Sequence, residues 1–140
     1  MNPEQVRDVL IDHGVSPSRP RMAILHYLRE NLTHPTADEI FRDLRGAVPT
    51  LSLTTVYNTL KLFADKGLCL TLTINEKQTC YDGETRPHSH FMCNRCGKVY
   101  DIMPEDIPVY LQKETVCGHQ VTEIHCYYRG ICAECLASCN

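Results

Sequence analysis

Apolar residues recur at helical spacing through the first half of the chain. The pattern predicts four helices, over residues 3–13, 19–31, 37–45 and 53–66. Each begins beside a residue that suits a helix N-terminus: Pro3 for the first, and Ser18, Thr36 and Ser52 as N-caps of the other three. The same spacing predicts the buried faces: Val6, Val9 and Leu10; Met22, Leu25, Leu28 and Leu32; Ile40, Phe41 and Leu44; Leu53, Val56, Leu60 and Phe63.

The fourth helix keeps polar and aromatic side chains for its outer surface: Thr54, Thr55, Tyr57, Asn58 and Lys61. A helix of this kind, following another after a short connection, is typical of the recognition helix in a helix-turn-helix. Tyr57 has an alternative role as a core aromatic. Its neighbour Val56 is the better core candidate, so Tyr57 is expected to be exposed.

The pattern then changes to strict alternation between Leu68 and Ile74, which predicts a half-buried strand. A turn at 75–76 leads to a second strand over 78–82, and we interpret the hairpin as a wing. The fold class is therefore α+β. Residues 1–82 are predicted to form a winged-helix DNA-binding domain, 83–87 a linker, and 88–140 a smaller α/β domain.

The second domain has its own predicted elements. They are strands at 88–93 and 98–102, a helix at 105–117 and a strand at 120–129.

Two Cys-x-x-Cys pairs mark the beginning and the end of the second domain: Cys93 with Cys96, and Cys132 with Cys135. This spacing lets two thiolates hold one zinc ion, and four thiolates make a closed, structural site. The alternative is four unrelated buried thiols. Cys69, Cys80, Cys117 and Cys126 lack this spacing and are expected to be core or surface thiols, while Cys139 could extend the last pair.

Harder ligands lie beside the first cysteine pair. His88 and His90 are two residues apart, so on a strand they share a face, and Asp101 follows on the next predicted strand. These groups suit a more open second metal site, although they could also be surface histidines. His34 and Asp82 join this cluster only if the two halves fold together.

Composition and charge argue against several classes of protein. The 140 residues are 43% apolar and carry a net charge of -3, which argues against nonspecific coating of nucleic acid. Residues 1–80 hold 9 basic and 9 acidic residues and residues 81–140 hold 5 and 8, so DNA contacts are expected from the first half. No membrane span or signal peptide is recognisable, and nine cysteines favour metal binding in a cytoplasmic protein.

Four motifs together resemble the ferric uptake regulator (Fur) superfamily of metal-dependent repressors. They are His34-Pro-Thr-Ala-Asp-Glu-Ile, Ser52-Leu-Thr-Thr-Val-Tyr-Asn-Thr-Leu, His88-Ser-His-Phe-Met-Cys-Asn-Arg-Cys-Gly-Lys and the final Cys-x-x-Cys. The resemblance covers nearly the whole chain. It implies an N-terminal winged helix, a C-terminal dimerisation domain, and a homodimer on a palindromic operator in double-stranded DNA.

The resemblance also implies two metal sites. The implied ligands of a regulatory iron or manganese ion are His34, Asp82, His88, His90 and Asp101. The implied ligands of a structural zinc ion are Cys93, Cys96, Cys132 and Cys135. Iron sensors of the superfamily usually have glutamate where this chain has Asp82 and Asp101, so the chain most resembles the peroxide-sensing PerR branch. In that branch, iron-catalysed oxidation of a ligand histidine, here His34 or His88, ends repression.

The leading prediction is a metal-dependent, peroxide-responsive repressor rather than an enzyme. Thr54, Thr55, Tyr57 and Asn58 are expected to contact bases, and Arg21 and Lys61 to contact phosphates. A regulator of iron or manganese homeostasis is the alternative within the same class. A non-heme iron enzyme, using two histidines and one carboxylate, is a remote alternative, because it leaves the Tyr57 helix and the wing without a purpose.

Overall fold

The computed structural model describes residues 1–73, 78–84, 88–106, 115–121 and 125–138. The chain divides into two compact units, Met1–Thr85 and Arg86–Asn140. This division falls inside the stretch 83–87, which the sequence indicates as a linker. The roles assigned to the two domains stay predictions.

The first unit has four helices followed by a hairpin. The helices are α1 (Pro3–Asp12), α2 (Arg19–Glu30), α3 (Ala37–Leu44) and α4 (Leu53–Asp65), and the strands are β1 (Leu70–Leu72) and β2 (Cys80–Asp82). Side-chain oxygens of Ser18, Thr36 and Ser52 accept hydrogen bonds from backbone N–H groups three residues later, as predicted. Asn2 caps α1 in the same way, together with the side chain of Gln5, and this cap was not predicted. No helix in the described ranges is long and apolar enough to cross a bilayer.

One apolar core lies between the four helices. Its fully buried members include Leu10, Ile24, Leu25, Leu28, Ile40, Val56, Leu60, Phe63 and Leu68. The prediction that Leu32 is buried was wrong: α2 ends at Glu30, so the helical spacing no longer applies and Leu32 is 47% exposed. Ile24 occupies the buried face instead. Tyr57 is also 47% exposed, as predicted.

The hairpin is shorter than the sequence indicated. Leu70 pairs with Asp82 and Leu72 with Cys80 in an antiparallel ladder. The predicted turn at 75–76, and Ile74, lie outside the described residues. Cys69 and Cys80 are buried, in line with the expectation of core or surface thiols.

The second unit is built on a three-stranded sheet. Its elements are β3 (Ser89–Cys93), β4 (Val99–Ile102), a 3-10 turn (Pro104–Asp106), β5 (Thr115–Val116), β6 (His119–Gln120), β7 (Tyr127–Gly130) and α5 (Ala133–Ser138). The sheet order is β4-β3-β7, with β3 antiparallel to β4 and parallel to β7. The short helix α5, which carries Cys135, was not predicted.

The helix predicted over 105–117 is wrong at both ends. Residues 104–106 form a 3-10 turn and 115–116 form a strand, while 107–114 lie outside the described residues. Cys117 and Gly118 both have positive φ angles, 51° and 81°, and connect β5 to β6 as a two-residue hairpin turn. This turn stops a helix from continuing through residue 117.

The fully buried positions that can be assigned in the second unit are Ser89, His90, Cys93 and Cys132. Two of these are candidate zinc ligands and one is a candidate ligand of the regulatory metal. Three of these four buried positions are therefore candidate metal ligands, whereas the first unit buries large aliphatic side chains. Small units with little apolar core are commonly stabilised by a metal ion.

Candidate metal centres and DNA-binding surface

The four cysteines of the two Cys-x-x-Cys pairs converge in the second unit. Their Sγ atoms all lie within 4.8 Å of one another. The Cys93–Cys135 and Cys96–Cys132 sulfur pairs are each separated by 3.8 Å. A tetrahedral zinc ion with Zn–S bonds of about 2.3 Å keeps its sulfurs about 3.8 Å apart. The sulfur positions therefore fit a closed four-thiolate zinc site.

Backbone N–H groups surround the sulfur of Cys93. Those of Arg95, Cys96 and Cys132 each point at Cys93 Sγ from 3.4 Å. The hydrogen bonds from Cys96 and Cys132 lower the pKa of Cys93 to about 5, so this sulfur is a thiolate at neutral pH. Cys135 lies among the other sulfurs, and its hydrogen bond to Cys132 raises its pKa to about 12. Binding of a zinc ion would require this thiol to lose its proton.

Two histidines and one aspartate form a second cluster in the same unit, the His88–His90–Asp101 triad. His90 is paired with Asp101 in the β3–β4 ladder. Oδ1 of Asp101 lies 3.1 Å from Nε2 of His88 and 3.4 Å from Nε2 of His90. Adjacent ligands of a six-coordinate ion with bonds of about 2.1 Å lie about 3.0 Å apart. The distances from Asp101 Oδ1 to the two imidazole nitrogens are therefore close to those between neighbouring ligands of one divalent ion.

The first unit contains a matching group, the His34–Asp82 pair. Thr36 and Cys80 form an antiparallel bridge, so residue 34 lies opposite residue 82. Nε2 of His34 is 3.4 Å from Oδ2 of Asp82, and both side chains are buried. His34 has a φ of 59°, a conformation that is rare for a residue with a side chain. The backbone strain at His34 marks this pair as a functional candidate.

The structure thus gathers the predicted ligands into three groups. All four zinc ligands meet in one cluster, three regulatory ligands meet in the triad, and the remaining two meet in the pair. Imidazole and carboxylate ligands suit iron and manganese better than a closed thiolate site does.

The outer face of α4 is the surface that the sequence predicts to contact nucleic acid. Thr54, Tyr57, Asn58 and Lys61 are all exposed and recur at helical spacing. Thr55, predicted with them, is half-buried, and its hydroxyl lies 2.8 Å from that of Ser52 at the helix cap. Arg21, predicted to contact phosphate, donates from Nη1 to the carbonyl of Ser16 at 2.9 Å. The roles of these residues toward DNA stay predictions.

Sequence reasoning missed Arg29 and Gly83, which lie beside the His34–Asp82 pair in the first unit. The guanidinium of Arg29 donates to the carbonyl of Gly83 at 2.7 Å. Arg29 is four residues after the buried Leu25, so helical periodicity already places it toward the core. The helical spacing could therefore have identified Arg29. The close approach of Gly83 to α2 has no signal in the sequence.

Residues 12–128 match the sequence family described as the ferric uptake regulator family. This chain belongs to the ferric uptake regulator family. The match spans most of the first unit, the triad and the first cysteine pair, and stops before Cys132. The second pair is assigned to the site by its geometry, with sulfurs within 4.8 Å of the first pair.

Individual relatives agree with the family. The peroxide operon regulator of Bacillus subtilis (strain 168) is 35% identical over 133 residues, covering 94% of this chain and 92% of that protein. The peroxide-responsive repressor PerR of Staphylococcus aureus (strain USA300) is 36% identical over 123 residues, covering 87% and 83%. A solved structure of PerR from Streptococcus pyogenes, described for peroxide sensing and gene regulation, is 36% identical with a TM-score of 0.53 and covers 95% and 92%. The chain is thus similar to peroxide-responsive regulators over nearly its whole length.

Proposed function

We propose that the protein is a metal-dependent transcriptional repressor that binds operator DNA as a homodimer and releases it on exposure to peroxide. One observation carries this proposal: histidines and aspartates, not glutamates, make up the triad and the pair, in a chain whose α4 exposes Tyr57, Asn58 and Lys61. The similarity to regulators named for their response to peroxide supports it.

The thiolate cluster is proposed to hold a structural zinc ion. Four thiolates fill the four positions of a tetrahedral ion, so none is left for a substrate or an oxidant. Because a structural zinc site is formed only in the folded chain, the free energy of zinc binding stabilises the folded second unit. A folded second unit is in turn what the homodimer requires.

The regulatory ion, iron or manganese, is proposed to take ligands from both units. His34 and Asp82 belong to the first unit, and the triad belongs to the second. An ion bonded to all five residues stabilises only an arrangement that brings the two units together. A ligand shifts an equilibrium only by its differential affinity for the two states. Metal binding would therefore select the conformation that fits the operator.

Release follows from oxidation of an imidazole. Ferrous iron bound in this site would catalyse the cleavage of peroxide, while the imidazole would be the net donor of the two electrons that peroxide takes up. In the net change, one peroxide oxygen is added to a ring carbon of His34 or His88 and the other leaves as water. The oxidised ring is a poor metal ligand, so the link between the two units is lost. Manganese does not drive this cleavage, and it should support DNA binding without making the protein sensitive to peroxide.

The protein is proposed not to be an enzyme, although the triad contains the two histidines and one carboxylate of a facial iron site. In an oxygenase, the exposed polar face of α4 would have no role. A repressor uses both the triad, to bind its metal, and this face, to bind DNA. The relatives named above are regulators, which favours the same choice.

The test uses purified zinc-containing protein and a duplex selected by the manganese-loaded protein from a random library. Duplex binding is measured without added metal, with Mn²⁺ and with Fe²⁺, each before and after dilute peroxide. We expect both metals to strengthen binding and peroxide to abolish it only with iron. His34→Ala, which removes a proposed ligand, should lose the strengthening by metal, whereas His119→Ala, which alters an exposed histidine on β6, is the matched control and should behave as wild type. Duplex binding that requires metal but is unchanged by peroxide would instead indicate a regulator of metal homeostasis. Duplex binding that is unchanged by metal would overturn the proposal.

A further inference from the structure

Arg29, in the last turn of α2, is a partly buried cation held by neutral groups. Its Nη1 donates to the carbonyl of Gly83 at 2.7 Å and its Nη2 donates to the carbonyl of Leu68 at 3.2 Å. Its Nε is buried and has no hydrogen-bond partner among the described residues. Burying a guanidinium is costly unless its donors are satisfied. The two carbonyls therefore offset only part of the free-energy cost of removing this guanidinium from water.

The two carbonyls lie at functionally different places in the first unit. Leu68 comes three residues after Asp65, the last residue of α4. Gly83 comes directly after Asp82, whose carboxylate lies 3.4 Å from His34. One guanidinium thus joins the chain that leaves the candidate recognition helix to the chain that leaves a candidate metal ligand.

Asp82 is held by contacts of the residues on both sides of it. Before it, the N–H of Tyr81 donates to the carbonyl of Pro35 at 2.9 Å. After it, Gly83 runs so close to α2 that a Cβ atom at this position would clash with the carbonyl oxygen of Leu28. Only glycine allows this approach. The position of the Asp82 backbone is therefore set by its contacts with α2 and with the Pro35 segment.

We propose that Arg29 is a positioning residue that couples the His34–Asp82 pair to the recognition helix α4. This inference rests on the proposed function, because it assumes that an ion binds at the pair. An ion that binds the Asp82 carboxylate also acts on the adjoining Gly83, and Arg29 transmits that effect to Leu68, three residues beyond the end of α4. Chains of hydrogen bonds of this kind can carry coupling between sites.

The coupling is measured as a ratio: the dissociation constant for the selected duplex without added metal, divided by the dissociation constant with saturating Mn²⁺. Arg29→Met keeps the length of the side chain and removes all its donors, while Arg29→Lys keeps one cationic donor group that cannot span both carbonyls. Arg42→Met removes an exposed arginine from α3 and is the matched control for lost charge. Because allosteric couplings are typically about 5–150-fold, we expect Arg29→Met to lower the ratio at least about fivefold and Arg29→Lys to lower it less. Arg42→Met should leave the ratio unchanged.

A purely structural role for Arg29 would lower thermal stability but leave the ratio at saturating Mn²⁺ intact, and that result would overturn the inference. Gly83→Ala provides an independent variant if Arg29→Met does not fold, since its Cβ would push the chain away from α2; it should also lower the ratio. A Gly83→Ala protein that folds with the wild-type ratio contradicts the inference. A wild-type ratio of one overturns the proposed function itself, and the inference with it.

Discussion

His90 and Asp101 lie directly opposite each other in the antiparallel pair of β3 and β4, with Nε2 of the histidine 3.4 Å from Oδ1 of the aspartate. Because side chains alternate along a strand, His88 lies on the same face two residues earlier and approaches the same oxygen to 3.1 Å. A single carboxylate oxygen is therefore shared by two imidazoles. The β3–β4 register places His90 against Asp101, and His88 joins them from the residue just before β3.

Removing one zinc ligand should unfold the second unit. Cys96→Ser leaves three thiolates, and an incomplete site loses the metal free energy that its fold depends on. We expect loss of the bound zinc equivalent and of the homodimer, measured by metal analysis and by sedimentation. Cys117→Ser, which changes an exposed cysteine in the β5–β6 turn, is the control and should keep both. A Cys96→Ser protein that stays dimeric with a full zinc equivalent would show that the cluster is not structural.

The cap of α4 should contribute measurably to stability. The hydroxyl of Ser52 accepts a hydrogen bond from the N–H of Thr55 at 3.1 Å. Ser52→Ala leaves that donor to water and should lower the free energy of unfolding by about 0.5–2 kcal/mol. Ser52→Asn, which can also cap, should restore most of the loss, whereas Ser16→Ala, an exposed serine outside any helix, should cost little. Denaturant titration measures the difference, and equal stability of the Ser52→Ala and wild-type proteins would contradict the role of the cap.

Local patterns predicted the first unit well because its helices are set by features within a few residues. Ser18, Thr36 and Ser52 each cap a helix, and the apolar spacing along the helices identified about half of the buried core. The ligand types were equally visible, since the Cys-x-x-Cys spacing is itself a local signal.

Other features depend on contacts between residues distant in sequence. The pairing of Thr36 with Cys80, which places His34 beside Asp82, has no local signature. The approach of Gly83 to Leu28 is equally invisible in the sequence. The predicted helix over 105–117 was wrong because the Cys117–Gly118 turn was not recognised as a hairpin connection.

Tyr57 should contribute to sequence-specific rather than general DNA binding. Its side chain is 47% exposed on α4, where an aromatic ring can contact a thymine methyl group. Tyr57→Ala should weaken binding to the selected duplex by about 1–3 kcal/mol, with a much smaller loss on random DNA. Tyr57→Phe should retain the part of this energy that comes from the ring. Leu32→Ala, equally exposed in the same unit, is the control. If Tyr57→Ala weakens binding to both duplexes equally, Tyr57 only supports the fold.

Asp101 should determine whether the bound iron reacts with peroxide. Aspartate holds its carboxylate close to the backbone and has few rotamers, so Oδ1 stays near His88 and His90, at 3.1 and 3.4 Å. In Asp101→Glu the extra methylene moves the carboxylate out by about 1.5 Å. The longer side chain can then swing round and occupy a coordination position that peroxide needs, and open positions distinguish reactive metal sites from inert ones.

Mass spectrometry of iron-loaded protein after dilute peroxide checks this prediction. We expect wild type to gain one oxygen on a peptide that carries His34 or His88, and Asp101→Glu to gain little. Asp106→Glu, which makes the same change at an exposed position in the 3-10 turn, is the matched control and should react like wild type. Manganese-loaded wild type should gain no oxygen on either histidine. If wild type gains oxygen only on methionine or cysteine, or if Asp101→Glu reacts equally well, peroxide sensing through this site is wrong and the protein regulates metal homeostasis instead.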